Sequence, residues 1–429
     1  MTDRRLALTP PMGWNSWDCY GASVTEDEVR ANAEYMAQHL KEYGWEYITV
    51  DIQWYEPGAH SSQYRPFVPL VMDEWSRLLP AVNRFPSAAG GKGFRPLADA
   101  VHALGLKFGI HIMRGIPRQA VHADTPILGT SATAREIAHT NSICPWNTDM
   151  YGVDASKEGA QAYYDSLFQL YAEWGVDLVK VDDIAASRLY DTHLPEIELL
   201  SQAIERCGRP MVLSLSPGPA PVKHASFFHE HATMWRITDD FWDQWPLLRE
   251  MFDRCRNWQG EAKAGGWPDC DMLPLGRIGI RSVDGGGEDR MTRFTRDEQL
   301  TMMTLWSICR SPLIFGGELR DNDSWTHDLL TNRDVLHMHR YSSNAREAVR
   351  EDETVIWTAE EQGQALYTAL FNLGDRESVI RLDPEQIGLA EFPVGKDLWS
   401  GQAAPSSTGC LEAAVPAHGV RLYRFDLQA

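Results

Sequence analysis

Short apolar segments alternate with longer amphipathic segments along the first three quarters of the chain. Those with the length of strands are 12–15, 47–52, 107–112, 178–182, 211–215, 234–238, 262–265 and 312–315. Apolar residues at helical spacing predict helices between most of them, including 26–43, 161–174 and 297–309, with Thr295 placed to cap the last. Eight strands separated by helices predict an α/β fold of the parallel (β/α)8 type, a TIM barrel.

The pattern changes near residue 340. Segments 355–358, 365–373, 377–382 and 419–425 are short and β-rich, and no long helix lies between them. We therefore expect the barrel to occupy residues 1–340 and an antiparallel β-sandwich domain to occupy 341–429. Two long segments, 56–92 and 115–152, interrupt the barrel after strand ends. Because long loops in compact folds are usually functional, both are expected to lie over the barrel mouth.

Composition narrows the choice of partner and compartment. The chain of 429 residues has 40 Lys and Arg against 60 Asp and Glu, a net charge of −20. That balance argues against nucleic acid and anionic membrane surfaces, which both need clustered positive charge. No apolar run approaches the roughly 18 residues that span a bilayer, and the residues after Met1 lack the apolar core of a signal peptide.

Two residue types are informative beyond charge. The seven Cys are odd in number and form no CxxC pair, which favours reduced thiols in the cytoplasm over disulfides or zinc. The 16 Trp exceed what packing usually needs. Since an indole presents a flat apolar face with one N–H donor, the excess suits a hydroxylated ligand such as a sugar.

Acidic residues follow three of the predicted strands. Asp51 ends the second, Asp182 the fourth and Asp240 the sixth, and barrel enzymes place their chemistry at these ends. In the fourth strand, alternation puts Lys180 and Asp182 on one face. A nearby ammonium favours the ionised carboxylate, which is the form that a nucleophile requires.

The sixth strand end differs because Asp239 and Asp240 precede Phe241 and Trp242. A carboxyl group among aromatic rings is desolvated, and the raised pKa suits a general acid. Two carboxylates with unlike environments fit glycoside hydrolysis. One alternative is that these Asp residues cap the following helices. Another is a metal site, but no HExxH-like pair supports it, so neither a metal nor a cofactor is expected.

The segment 10–17, Pro-Pro-Met-Gly-Trp-Asn-Ser-Trp, resembles the opening motif of glycoside hydrolase family 27, the α-galactosidases and α-N-acetylgalactosaminidases. Further matches follow in order: Lys180-Val181-Asp182, Trp235-Arg236 with Asp240 four residues beyond the Arg, residues 265–272, and 311–313. The resemblance runs from about residue 6 to the end of the chain. It implies a (β/α)8 barrel, a C-terminal antiparallel β domain and retaining hydrolysis of an axial glycoside.

The resemblance also implies roles for individual residues. Asp182 matches the nucleophile of the family and Asp240 its acid/base, whereas Asp183 and Asp239 fall outside the motif positions. The implied sugar contacts are Trp17 under the ring, Asp51 and Lys180 at the C3–C4 hydroxyls, Arg236 at the C2 side, and Asp271 and Met272 on the wall.

One departure from the family points to the substrate. α-Galactosidases usually carry a second Asp after the one matched by Asp51, and it helps hold the exocyclic hydroxymethyl group; here Ile52 stands in its place. A galactoside would lose a charge-assisted hydrogen bond of about 1.5–3 kcal/mol. β-L-Arabinopyranose is α-D-galactopyranose without that group, so Ile52 predicts a β-L-arabinopyranosidase. The alternatives are that Ile52 only fills the core, or that the enzyme is an α-galactosidase.

Two further departures leave alternatives open. Ser216 stands where α-galactosidases usually have Glu for the C2 hydroxyl, which leaves room for a 2-acetamido group that Ile52 disfavours. His111 stands where many relatives have Tyr, and it is expected to hydrogen-bond the nucleophile or the substrate, or else to be structural. A non-catalytic sugar-binding barrel would have lost Asp182 or Asp240, and both are present. Self-association through Trp-rich surfaces and the β domain is left open.

Overall fold

A computed structural model describes residues 6–60, 63–282, 287–404 and 409–427. Residues 1–5, which the signal-peptide argument concerns, lie outside this part of the chain, as do residues 61 and 62 of the first long segment. Eight parallel strands form one curled sheet: β1 Met12–Asn15, β2 Tyr47–Val50, β3 Lys107–Met113, β4 Leu178–Asp182, β5 Val212–Leu215, β6 Met234–Arg236, β7 Trp267–Asp269 and β8 Leu313–Phe315.

The sheet runs in the order β7-β6-β5-β4-β3-β2-β1-β8. Leu273, just after β7, donates its N–H to the carbonyl of Ile314 at 2.7 Å and accepts from the N–H of Gly316 at 2.9 Å. These bonds bring the two outer edges of the sheet together at the carboxyl end of β8. The predicted (β/α)8 barrel is confirmed.

Helices alternate with these strands along the chain. Their bounds are Trp17–Tyr20, Glu26–His39, Arg95–Ala103, Arg118–Ala123, Ala134–Ile137, Ala160–Trp174, Leu194–Cys207, Ala225–His231, Trp245–Asn257, Arg296–Cys309, Ser324–Thr331 and Arg333–Tyr341. The predicted cap is present, because the Thr295 hydroxyl accepts a hydrogen bond from the N–H of Glu298 at 3.2 Å.

The prediction of the seventh strand at 262–265 is wrong. Lys263 and Gly266 exchange backbone hydrogen bonds in a tight turn, and the strand begins directly after that turn, at Trp267. Pro268 lies in the middle of it. A proline has no N–H to donate to a neighbouring strand, so the sequence alone argues against a strand at residues 267–269. The segment 262–265, which contains no proline, matches a strand pattern better.

The segment 115–152, predicted as a long loop, has its own structure. It contains Arg118–Ala123 and Ala134–Ile137 together with three antiparallel strands at Ile116–Pro117, Ala138–Ile143 and Met150–Val153. Only Ser142 of Ala138–Ile143 is buried. A strand without a buried face shows no apolar alternation, so the sequence pattern does not reveal it.

Antiparallel strands follow the last helix. Their bounds are β9 Ser343–Glu351, β10 Thr354–Glu361, β11 Ala365–Asn372, β12 Ser378–Leu382, β13 Gly395–Asp397, β14 Leu411–Val415 and β15 Val420–Asp426. Five form one sheet in the order β9-β10-β11-β15-β13, and β12 pairs with β14. Apolar residues such as Leu370, Leu382 and Leu411 form a core of their own. The predicted antiparallel domain is confirmed, while its boundary at residue 340 stays a prediction.

Much of the Trp excess belongs to the core rather than to a ligand surface. The seven Trp with less than 2% exposure are Trp14, Trp45, Trp54, Trp235, Trp267, Trp306 and Trp357. Composition alone therefore overstated the number of indoles that face a ligand. Within the described residues, no helix combines the length and apolarity needed to cross a membrane.

Candidate active site

A cavity of about 450 Å³ opens at the carboxyl ends of the barrel strands. Its lining residues are Trp17, Asp18, Asp51, Ile52, Tyr64, Trp146, Lys180, Asp182, Arg188, Pro217, Arg236, Asp239, Asp240, Phe241, Trp242, Asp271 and Met272. Nine of the eleven residues that the sequence predicts for the site are among them. His111 and Ser216 lie behind the lining.

The carboxylate of Asp182 is held on both oxygens. Register pairs Met113 of β3 with Asp182 of β4, two residues beyond His111. The Nε2 atom of His111 lies 3.0 Å from Oδ2 of Asp182, and the N–H of Asp183 donates to Oδ1 at 2.8 Å. Burial alone would raise the pKa of Asp182, but the hydrogen bond and charge of His111, followed by the charge of Lys180, hold it well below its usual range. The carboxylate is therefore ionised.

These contacts change the expected role of Lys180. Its ammonium group donates to Oδ2 of Asp51 at 2.9 Å, and the side-chain amide of Asn15 donates to the same oxygen at 2.7 Å. Burial opposes ionisation of Asp51, but the charges of Lys180 and His111 and the hydrogen bonds from Lys180 and Asn15 together outweigh it and lower the pKa of that carboxyl. The group that bonds directly to Asp182 is thus His111, and Lys180 acts on it only through its charge.

Ile52 forms an apolar part of the cavity wall beside this ion pair. Its side chain is 2% exposed, and its N–H donates to Oδ1 of Asp51 at 2.9 Å. With Lys180 and Asn15 on the other oxygen, the Asp51 carboxylate is fixed. The Ile52 side chain next to it presents only carbon atoms to the cavity and has no hydrogen-bonding group.

Arg236, at the end of β6, links two acids of the cavity. Its Nη2 atom lies 3.1 Å from Oδ1 of Asp240 and 2.8 Å from Oδ2 of Asp271. The N–H of Phe241 donates to that same Asp271 oxygen at 2.8 Å. Burial, together with the charges of Asp240 and Asp269, outweighs Arg236 and raises the pKa of Asp271 to about 7.

The expectation that aromatic neighbours bury Asp240 is wrong. Its side chain is 56% exposed. The ring of Phe241 turns inward and packs against Phe294 and Trp306, with centroids 6.1 and 4.9 Å away. The ring adjacent in sequence therefore does not desolvate the carboxyl group, which stands at the cavity mouth with Arg236 as its partner.

The other acid and hydroxyl positions lie behind the wall. Ser216 is buried, and its hydroxyl donates to the carbonyl of Val181 at 3.3 Å; the neighbouring Pro217 lines the cavity instead. Asp183 is buried against Arg114, whose Nη2 atom lies 2.9 Å from its carboxylate. Neither side chain reaches the space that a ligand would occupy.

Residues that sequence reasoning missed come mainly from the two long segments and the loop after β4. Tyr64 and Trp146 reach the cavity from segments 56–92 and 115–152, as expected for loops over the barrel mouth. The ring of Tyr64 stacks on Trp17 with centroids 6.3 Å apart. At the rim, Arg188 pairs with Asp239 at 3.7 Å. In the described residues, no group of three or more His, Cys, Asp or Glu side chains is arranged to hold a metal ion.

Comparison with known proteins shows which families of proteins this chain resembles. The family model for "Alpha galactosidase A" matches residues 147–340, and the one for "Alpha galactosidase C-terminal beta sandwich domain" matches residues 351–425. A crystal structure of the GH27 β-L-arabinopyranosidase from Geobacillus stearothermophilus superposes with a TM-score of 0.97 at 65% identity, covering 98% of this chain and 97% of that chain.

A second structure of the same enzyme and a more distant relative were also found. A variant of the same Geobacillus enzyme in complex with arabinose has a TM-score of 0.98 at 64% identity, with 99% of each chain covered. The α-galactosidase of Coffea arabica is 26% identical over 97% of this chain and 94% of its own length.

Proposed function

The chain belongs to glycoside hydrolase family 27, and we propose that it is a retaining exo-β-L-arabinopyranosidase. The observation that carries the proposal is Ile52, an apolar side chain on the cavity wall beside the fixed carboxylate of Asp51. A sugar without a hydroxymethyl group places no polar group beside Ile52. The hydroxymethyl group of galactose would be buried there without a hydrogen-bond partner, which is unfavourable. Two crystal structures of one relative, the GH27 β-L-arabinopyranosidase of Geobacillus stearothermophilus at 64–65% identity, support the same choice.

The proposed reaction is a double displacement. The Asp182 carboxylate attacks the anomeric carbon and forms an ester, while the glycosidic C–O bond breaks and Asp240 gives its proton to the leaving oxygen. Water then attacks the anomeric carbon, Asp240 takes a proton from it, and Asp182 leaves as a carboxylate. After the first step Asp240 is a carboxylate, which is the base that the second step needs, and the proton taken from water restores the acid. The exposed position of Asp240 supports this double role because the leaving group and then the water can reach its carboxyl group.

The remaining lining residues are proposed to hold the sugar. The Lys180–Asp51 pair offers both a donor and acceptors to adjacent hydroxyls, and Arg236 lies between the proposed acid/base and Asp271. Trp17 provides an apolar face, and the ring of Tyr64, which stacks on it, lines the same cavity. Met272 completes the wall. His111 and Ser216 would act from behind it, His111 through the nucleophile.

The competing function is release of α-D-galactose, the activity named for relatives at 26% identity and below. Comparison of kcat/KM on p-nitrophenyl β-L-arabinopyranoside and p-nitrophenyl α-D-galactopyranoside decides between the two. We expect at least a tenfold preference for the arabinopyranoside, which is about 1.4 kcal/mol of transition-state stabilisation. A tenfold preference for the galactoside would overturn the proposal. Proton NMR of the first product formed should show the β anomer if the reaction retains configuration.

We also propose that the enzyme works in the cytoplasm. All seven cysteines are free thiols, as in proteins kept in reducing compartments. Self-association through Trp-rich surfaces and the β domain is also proposed. Cell fractionation tests the first proposal and light scattering of the purified protein tests the second.

A further inference from the structure

Asp18 is an acid of the cavity that the proposed mechanism does not use. It follows Trp17 in the short helix Trp17–Tyr20, directly after β1, and it lines the cavity. The residue is only 2% exposed. Its Oδ2 atom is buried and has no hydrogen-bond partner among the described residues. A buried polar group without a partner is costly, so an unpaired carboxyl oxygen in a ligand cavity needs a physical reason.

The surrounding chain leaves space for this carboxyl group. A Cβ atom built on Gly316, just after β8, would lie 1.9 Å from Oδ2 of Asp18. Any larger residue at position 316 would therefore displace the carboxyl group. The absence of a side chain at Gly316 lets the Asp18 side chain sit between the ends of β1 and β8, where the barrel faces the cavity.

The charges nearby favour an uncharged carboxyl. Burial raises the pKa of Asp18 well above its usual range, and the negative charges of Asp271, Asp240 and Asp51 add to that effect against the single opposing charge of Lys180. A neutral carboxylic acid has an O–H donor as well as an acceptor oxygen. It can therefore pair with a hydroxyl group in either direction, which a carboxylate cannot do.

We propose that Asp18 is a further substrate-contact residue whose carboxyl group hydrogen-bonds a ring hydroxyl of the bound sugar. The inference rests on the proposed function for the identity of the ligand as a pyranose. Lys180 pairs with Asp51 and Arg236 pairs with Asp271, although the Nε atom of Arg236 is itself buried without a partner among the described residues. Among the described acids of the lining, Asp18 is the one that is buried with an unpaired oxygen, and a hydrogen bond from its carboxyl group to a ligand hydroxyl would offset part of that cost.

Removal of hydroxyls from the substrate tests the contact. The 2-, 3- and 4-deoxy forms of p-nitrophenyl β-L-arabinopyranoside are compared with the parent in the wild type, Asp18→Leu and Asp18→Asn. We expect one deoxy substrate to lose roughly tenfold in kcat/KM with the wild type. That loss should nearly vanish in Asp18→Leu and persist in Asp18→Asn, which keeps a donor and an acceptor. The other two losses should not change between variants.

The inference would be overturned if each of the three deoxy substrates lost the same factor in kcat/KM with Asp18→Leu as with the wild type. That result is expected if Asp18 is only structural, or if it binds a water molecule instead of the sugar. If Asp18→Leu does not fold, a crystal structure of the wild type with L-arabinose decides instead. A sugar oxygen within about 3.2 Å of the Asp18 carboxyl group supports the contact, and a water or no sugar atom at that distance contradicts it.

Failure of the proposed function is visible separately. If the wild type hydrolyses galactosides but not arabinopyranosides, the same comparison is made with deoxy α-D-galactopyranosides, whose C2, C3 and C4 hydroxyls have the same configuration. The arabinopyranosidase assignment would then fall, while the contact between Asp18 and a ring hydroxyl would stand or fall on its own result.

Discussion

The Nε2 atom of His111 lies 3.0 Å from Oδ2 of Asp182, so the residue proposed as nucleophile is bonded to a neighbouring strand of the barrel. The other carboxylate oxygen accepts from the N–H of Asp183. Because one oxygen has a partner on β3 and the other a partner in the backbone directly after β4, the carboxylate is fixed in position and held ionised. A proposed nucleophile with these two properties is prepared for attack before the substrate arrives.

The first prediction concerns this contact. His111→Phe removes a partner that lowers the pKa of Asp182, so that pKa should rise. Since the ionised form attacks, activity falls as the pH drops through this pKa, and the acidic limb of kcat/KM should move to higher pH. His111→Tyr has nearly the same bulk as Phe but restores a hydroxyl donor, so its limb should lie closer to the wild type. Identical limbs for Phe and the wild type would show that His111 does not act on Asp182.

The second prediction separates the roles of Asp240 and Asp239. Asp240→Ala should reduce kcat/KM by about 10²–10⁴ on phenyl arabinopyranoside, whose leaving group needs a proton. The loss should be much smaller on the 2,4-dinitrophenyl glycoside, which leaves without protonation. Asp239→Asn is the matched control, because this neighbour is similarly exposed and pairs with Arg188, and the amide keeps an oxygen that accepts from the N–H of Asp240. An equal loss on both substrates for Asp240→Ala would contradict its assignment as the acid.

The third prediction concerns the stability of the barrel in acid. His339 is fully buried with Nε2 2.7 Å from the carbonyl of Ser311, and burial lowers its pKa to about 3. The unfolded chain binds the proton near pH 6.5, so the stability that the neutral ring contributes is present above that pH and lost as the pH falls towards 3. At pH 5 the loss is about 2 kcal/mol relative to pH 7 or above.

His339→Gln tests this because an amide keeps a donor for Ser311 but does not titrate. Urea unfolding at pH 7.5 and pH 5 should show a smaller drop in the free energy of unfolding for the variant than for the wild type. His337→Gln, on the exposed side of the same helix, is the control for a general effect of removing a histidine. An equal drop in the wild type and His339→Gln would exclude the buried ring as the acid-sensitive group.

The sequence was most informative where apolar runs end in charged or polar residues. The strands Met12–Asn15 and Leu178–Asp182 have the predicted bounds. In each case the apolar run of the sequence coincides with the part of the chain that pairs in the barrel sheet. Parallel strands end at one face of a barrel, so the acids at or just after the ends of β2, β4 and β6 are expected to meet there. The seventh strand was misplaced because Pro268 removes a ladder donor in its middle, and a sequence pattern treats such a residue as a break.

Other parts of the site depend on contacts that no local pattern records. Tyr64 and Trp146 lie far from the strand ends along the chain, and only the folded loops bring their rings to the cavity. The role of His111 stayed open because it depends on the register of β3 against β4. Asp240 was expected to be buried by Phe241, but a ring adjacent in sequence can turn into the core while the carboxyl group faces solvent.

The measurement that tests the central claim most directly is the ratio of kcat/KM for p-nitrophenyl β-L-arabinopyranoside to that for the α-D-galactopyranoside, in the wild type, Ile52→Asp and Ile52→Val. Ile52→Val keeps the wall apolar and controls for a change of volume. We predict that Ile52→Asp lowers the ratio at least tenfold, because the new carboxylate pairs with the galactose hydroxymethyl group, and that Ile52→Val changes it much less. An unchanged ratio in Ile52→Asp would contradict the claim that Ile52 selects the sugar.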